Sequence, residues 1–150
     1  MFEIFYEDLV IGQKETFGHY EVTREEVIEF AGKYDPQPFH LDEEAAKDSV
    51  FGGLCASGWH TCAMMMRMMV DHMKERGLAS LGSPGIDGIE WKRPVFPGDI
   101  LSAEGETTAK RDSASRPKLG LVKSTYHIKN QRGETVMIMR GNAMVAKRPA

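Results

Sequence analysis

The stretch Gly58-Trp59-His60-Thr61-Cys62-Ala63-Met64-Met65-Met66-Arg67-Met68-Met69-Val70-Asp71-His72-Met73-Lys74-Glu75-Arg76-Gly77 decides how this chain is read. It predicts the longest helix, from about Gly58 to Arg76, with Gly77 as the stop. Met64, Met65, Met66, Met68, Met69, Val70 and Met73 spread apolar groups around most of its circumference until Asp71. A helix apolar nearly all round is expected to be covered by other elements on several sides. The methionines also suit a flexible ligand-binding surface, but their spacing favours core packing.

Upstream, Glu15 to Val22 alternates weakly and reads as a first strand. Thr23 and Glu26 then form a Thr-x-x-Glu capping box. Val27, Phe30, Ala31 and Tyr34 follow at one-face helical spacing. That helix must end near Tyr34, because Pro36 disfavours helical backbone at Asp35. A short helix is expected over Glu43 to Lys47, capped by Asp42. Downstream, four strands are expected: Gly88 to Val95, Ile100 to Lys110, Leu119 to Lys129 and Glu134 to Ala146. Turns fall at Pro97-Gly98-Asp99 and Asn130-Gln131-Arg132-Gly133, with a polar loop over Arg111 to Pro117. Short connections favour an antiparallel sheet. The pattern gives an α+β fold in which a curled sheet wraps one buried helix.

The 150 residues fit one domain, 1–150, and no repeat or linker divides them. Apolar residues make up 41% and charged residues 27%, with a net charge of −3 and the two signs mixed along the chain. Without a basic block to follow a phosphate backbone, nucleic-acid binding is not expected. The N-terminus lacks the basic-then-apolar order of a signal peptide. The most apolar stretch, Trp59 to Val70, is interrupted by Arg67 and too short to span a bilayer, so no membrane role is expected. Two cysteines, Cys55 and Cys62, make no disulfide framework and no zinc spacing. They read as small buried residues, and a reduced cytoplasmic setting is the default. No cofactor and no metal site is expected.

The segment Tyr34-Asp35-Pro36-Gln37-Pro38-Phe39-His40 brings a carboxylate and an imidazole together in a proline-stiffened loop between two helices. Two prolines restrict the intervening chain, so Asp35 and His40 can be held in fixed relation, as acid–base catalysis needs. The plainer alternative is that Asp35 turns the chain and His40 packs beside it. Ser57-Gly58 at the start of the long helix is a second feature. A helix N-terminus has unpaired N–H groups and a positive dipole end, and glycine lets a ligand approach closely. That makes the Gly58 N–H a candidate oxyanion donor. Alternatively, Ser57 and Gly58 merely start the helix. His60 reads as structural or supporting, and His19, His72 and His127 as surface or strand residues.

With the Asp35-x-x-x-x-His40 loop, Gly58 opening a long helix, and Trp91-Lys92-Arg93-Pro94-Val95-Phe96-Pro97-Gly98-Asp99, the chain resembles the MaoC-like dehydratases, which include the (R)-specific enoyl-CoA hydratases. The resemblance spans nearly the whole chain. Its Asp/His loop is the most specific part, while the Pro-Val-Phe-Pro-Gly-Asp turn is shared more widely among hot-dog proteins. It implies a hot-dog fold, a long central helix wrapped by a curved antiparallel β-sheet. It also implies a homodimer or higher homo-oligomer with acyl tunnels at or near the subunit interface. Asp35 and His40 match the family's catalytic pair, and Gly58 matches the glycine whose N–H meets the thioester oxygen. Three departures concern the substrate lining: Gln37 stands where Asn is usual, Ser57 where His is frequent, and Met66 where some hydratases carry serine.

The resulting expectation is hydration of an enoyl thioester, of CoA or of an acyl carrier protein. Asp35 and His40 hold and activate one water, the Gly58 N–H binds the developing enolate oxygen, and Gln37 and Ser57 support them. Lys92, Arg93 and Lys118 are available for the CoA diphosphate, or are simply solvated strand-end charges. Two rivals stand beside this reading. A thioesterase of the same fold needs only a lone carboxylate, whereas a non-catalytic acyl-thioester-binding protein needs none of the machinery.

Overall fold

A computed structural model describes residues 1–150. A turn of 3₁₀-helix at Tyr6–Asp8 precedes strand β1 (Lys14–Glu21). Four helices follow: α1 (Arg24–Tyr34), α2 (Pro38–Leu41), α3 (Glu43–Lys47) and α4 (Gly58–Arg76). The chain then forms β2 (Ile86–Trp91), β3 (Ile100–Asp112), β4 (Leu119–Lys129) and β5 (Thr135–Ala146). All five strands make one antiparallel sheet in the order β1-β3-β4-β5-β2. The first strand lies at one edge beside β3, and β2 closes the opposite edge.

Local chemistry explains the boundaries. The Thr23 side chain accepts the Glu26 N–H at 3.2 Å and starts α1. Asp42 does the same for α3 through the Glu44 N–H at 2.9 Å. Ser57 caps α4 through the Trp59 N–H at 3.3 Å, and Gly77, left-handed at φ +68°, receives its end. At the β4–β5 turn, Asn130 Oδ1 accepts the N–H groups of Arg132 and Glu134 at 3.0 and 3.1 Å. Before β3, Asp99 Oδ2 accepts the Phe96 N–H at 2.9 Å, so the buried aspartate organises the Pro97-Gly98 turn.

The core lies between α4 and the concave face of the sheet. Met64, Met65 and Met68 of α4 pack with Leu101 and Ala103 of β3, Ile128 of β4, and Val136, Met137 and Met139 of β5. Burying each such side chain contributes roughly 1.5–3 kcal/mol. Met68 presses on β1 at Gly18, where any side chain would collide with it, and the β1–β3 register shifts between Phe17 and Tyr20. This is the α+β arrangement that the sequence pattern predicts, in the hot-dog form that the resemblance implies.

α4 is covered on several sides, as expected, but not at Trp59 and Met66, which are exposed. Two readings need correction. The segment holding His40 is not a loop throughout, because Pro38 opens the short helix α2 and places His40 inside it. Proline fits a first helical position because its missing N–H is not needed there. His72 is not a lone surface residue either. It contacts Glu15 of β1 at 2.9 Å and stacks on Phe17, with centroids 4.3 Å apart. No helix is long and apolar enough to cross a membrane.

Candidate active site

Asp35 sits immediately after α1, with its N–H bonded to the Ala31 carbonyl at 2.9 Å. Its side chain is mostly buried and both carboxylate oxygens are held. Ser57 Oγ donates to Oδ2 at 2.7 Å and Gln37 Nε2 donates to Oδ1 at 2.6 Å. Ser57 is a hinge of contacts, because it caps α4 and grips Asp35 with one hydroxyl. Burial works to raise the Asp35 carboxyl. The Ser57 and Gln37 hydrogen bonds and the nearby His40 outweigh it and hold the group below its ordinary value. Asp35 is therefore a carboxylate at neutral pH.

His40 is buried, 5% exposed, and its ring lies edge-on to Phe39. Nδ1 is 2.7 Å from the Cys55 carbonyl oxygen. A carbonyl only accepts, so Nδ1 carries the proton, and in the neutral ring Nε2 has the free lone pair. Nε2 lies 3.4 Å from Asp35 Oδ2. In that neutral form a carboxylate oxygen and a ring lone pair face each other across that distance, and a water donating to both would satisfy them.

The Leu54–Ser57 segment that supplies the Cys55 carbonyl is buried and tied on both sides. Cys55 N–H reaches the Phe39 carbonyl at 3.3 Å, and Ala56 N–H reaches the Val95 carbonyl at 2.8 Å. Burial also pushes the Cys55 thiol up to about 11, so it is a neutral packing group rather than a nucleophile. Cys55 and Cys62 are both free thiols.

Gly58 is the first residue of α4, and its N–H finds no acceptor within the chain. The reason for a glycine is steric. A Cβ here would lie 2.5 Å from the indole of Trp91, whose Nε1 donates to the Gly58 carbonyl at 3.0 Å. Trp91 also meets Trp59 edge-to-face at 5.3 Å.

Asp35, His40, Ser57 and Gly58 all border one cleft of about 420 Å³, and Gln37 lies on its rim. Phe39, Phe51, Thr61, Trp91 and Val95 form its other walls, and Lys92 and Arg93 also line it. Lys118 does not belong to this cleft. The backbone N–H groups of Lys92 and Arg93 both bond to the Val136 carbonyl, at 2.8 and 3.3 Å. A larger surface groove of about 580 Å³ lies across β1, β3, β4 and the start of β5, and no hydrophobic side chain lines it. No group of three or more His, Cys, Asp or Glu side chains is placed to hold a metal ion.

All five residues singled out from the sequence thus converge. Sequence reasoning missed the Cys55 carbonyl, which has no side-chain signature. It also missed Trp91 as the lid over Gly58, for which the only signal was an aromatic residue just before Lys92-Arg93-Pro94.

The MaoC like domain model matches residues 8–129. Over 99% of its length the chain is similar in structure to the whole of a MaoC-like dehydratase from Rhodospirillum rubrum, at 40% identity and a TM-score of 0.87. The R-hydratase PhaJ1 from Pseudomonas aeruginosa is 25% identical with a TM-score of 0.73, over 97% of this chain and 87% of that one. The uncharacterized protein YdeM of Bacillus subtilis is 32% identical over an alignment of 131 residues that covers 82% of this chain and 87% of YdeM.

Proposed function

The chain belongs to the MaoC-like domain family, and from that premise we propose that it adds water across the 2,3 double bond of an enoyl thioester to give a 3-hydroxyacyl thioester, or runs the reverse dehydration. One observation carries the reading. His40 Nδ1 is pinned by the Cys55 carbonyl, so the Nε2 lone pair faces Asp35 Oδ2 at 3.4 Å in the cleft that the unpaired Gly58 N–H borders. The R-hydratase among the similar structures supports the same reaction class.

The chemistry follows from the donor and acceptor inventory. A water lodged between Asp35 Oδ2 and His40 Nε2 donates to both. As its oxygen bonds to C3 of the enoyl group, one proton passes to the dyad and the C2–C3 π electrons move toward the thioester oxygen. Both Asp35 oxygens already accept other hydrogen bonds, so the His40 lone pair is the better proton acceptor. The Gly58 N–H, at the positive end of α4, stabilises the enolate oxygen. The proton held by the dyad then goes to C2, and the dyad is restored.

The thioester is carried by CoA or by an acyl carrier protein, and Lys92 and Arg93 beside the cleft suit the phosphates of either carrier. A homodimer is part of this reading. The outer edge of β2 is unpaired, and the exposed Trp59, Met66, Ile86 and Trp91 lie on β2 and α4. A thioesterase needs only a lone carboxylate, so the fixed His40 geometry favours hydration. The test is loss of the enoyl absorbance of crotonyl-CoA and longer 2-enoyl-CoAs, with Asp35→Asn as control. Turnover abolished by the substitution supports the reading, and no loss with any chain length refutes it.

A further inference from the structure

His60 is buried, with its side chain 4% exposed, yet it does not border the cleft. Its Nδ1 is the one buried side-chain polar atom in the chain without a hydrogen-bond partner. Such an atom is costly to keep, so the rest of the imidazole must supply something an apolar side chain would not. Nε2 contacts Glu26 Oε1 at 3.0 Å, and the same oxygen accepts the Tyr20 hydroxyl at 2.5 Å. Burial works to raise the Glu26 carboxyl, but the hydrogen bonds from Tyr20 and His60 outweigh it and keep it lowered, hence ionised. β1, α1 and α4 are thereby joined at one carboxylate oxygen.

The remaining contacts of His60 lead to the cleft from both sides. Its ring stacks on Phe30 of α1, at 4.8 Å and 8°, and Phe30 packs on Tyr34 at 5.0 Å. Asp35 follows Tyr34 directly. On the other side, the His60 N–H bonds to the Ser57 carbonyl at 2.9 Å, and the Ser57 hydroxyl grips Asp35. One residue therefore touches the helix that Asp35 follows and the residue that caps the helix beginning at Gly58. An apolar contact alone would let two helices slide, whereas a hydrogen bond to a carboxylate fixes their relative rotation.

We infer that His60 is a positioning residue: by docking α1 on α4 through Glu26 and Phe30, it sets the placement of Asp35 against Ser57 and Gly58. The inference rests on the hydratase reading for its kinetic consequence, but not for its structural one. Misplacement of a reacting group by about 1 Å is worth roughly 100-fold in rate.

The test is His60→Phe, which keeps a flat ring on Phe30 and removes the hydrogen bond to Glu26. With crotonyl-CoA, kcat falls about 10- to 100-fold while KM stays within about threefold. Glu26→Ala, at a half-exposed side chain, produces a similar fall, Glu26→Gln recovers most of it, and Glu26→Ala/His60→Phe is no worse than either single change. Independently of turnover, the Asp35 carboxyl titration, followed by carbon-13 NMR, moves upward in His60→Phe as the Ser57 hydrogen bond loosens. Unchanged kcat together with an unmoved Asp35 titration overturns the inference. If the wild-type protein hydrates no enoyl thioester, the function reading fails and the titration alone decides the role of His60. If His60→Phe does not fold, the same measurements on Glu26→Ala decide it.

Discussion

The two ends of α4 each place an imidazole against a carboxylate, and they use the pair differently. At the C-terminal end, His72 Nε2 lies 2.9 Å from Glu15 Oε2, and Arg76 donates to the same oxygen at 2.8 Å. Arg76 and Glu15 form an ion pair there, and the His72 ring is stacked on Phe17. At the N-terminal end, His40 and Asp35 stand 3.4 Å apart, and the proton on the imidazole is directed away, to a backbone carbonyl. One pair is joined directly through Glu15 and ties α4 to β1. The other keeps two acceptor positions turned to the cleft that the free Gly58 N–H borders. Proximity of His to a carboxylate is thus uninformative by itself, and the distinguishing fact is which ring nitrogen the protein bonds: Nε2, by the carboxylate itself, in His72, and Nδ1, by a backbone carbonyl, in His40.

That contrast is open to direct attack. Asp35→Asn or His40→Gln is expected to lower kcat about 100- to 10,000-fold while circular dichroism stays native, the range for loss of a positioned acid–base group. Near wild-type turnover in both would erase the distinction. Ser57→Ala removes one donor from Asp35 and is expected to cost roughly tenfold in kcat, corresponding to about 1.4 kcal/mol. It also moves the Asp35 carboxyl titration followed by carbon-13 NMR. Because the folded-state value of Asp35 is depressed, the carboxylate persists below the ordinary aspartate range and is protonated as pH falls through that depressed value. Without the Ser57 hydroxyl that protonation occurs at higher pH.

Gly58→Ala drives a methyl group into the Trp91 indole and is expected to destabilise by about 1–3 kcal/mol in denaturant melts. Most of that cost should disappear in a Trp91→Ala background, since the two residues are in contact. The smallest effect belongs to the other end of the helix. His72→Gln is expected to cost about 1 kcal/mol of stability and to leave kcat within about twofold. A large fall in kcat there would show that the two pairs are not separable.

The long helix was readable because its punctuation is chemical, with Ser57 as cap and Gly77 as stop, and the hairpin of β4 and β5 because Asn130 and Gly133 demand a turn. Asp35 and His40 stood out because two prolines lie between them. Pro38 misled as well as informed, since it both stiffens a loop and opens a helix. The exposure of Trp59 and Met66 was hidden, because a run of apolar residues does not record which face lacks a cover. Nor does a sequence show that the Cys55 carbonyl chooses the tautomer of His40. That contact depends on Phe39 and Cys55 meeting through the backbone, a long-range event with no residue type attached. Glu26 was legible as half of a capping box, and this concealed its side chain's contacts with Tyr20 and His60.

The methionines of α4 sit at graded depths within a single turn. Met64 and Met65 are 1% and 0% exposed, and the next residue, Met66, is 47% exposed. Thioethers react with peroxide when it can reach them, so this helix carries its own chemical depth gauge. Sulfoxide at Met66 reports only that oxidant met the surface. Sulfoxide at Met65 requires α4 to have parted from the sheet, and its rate of appearance counts those openings.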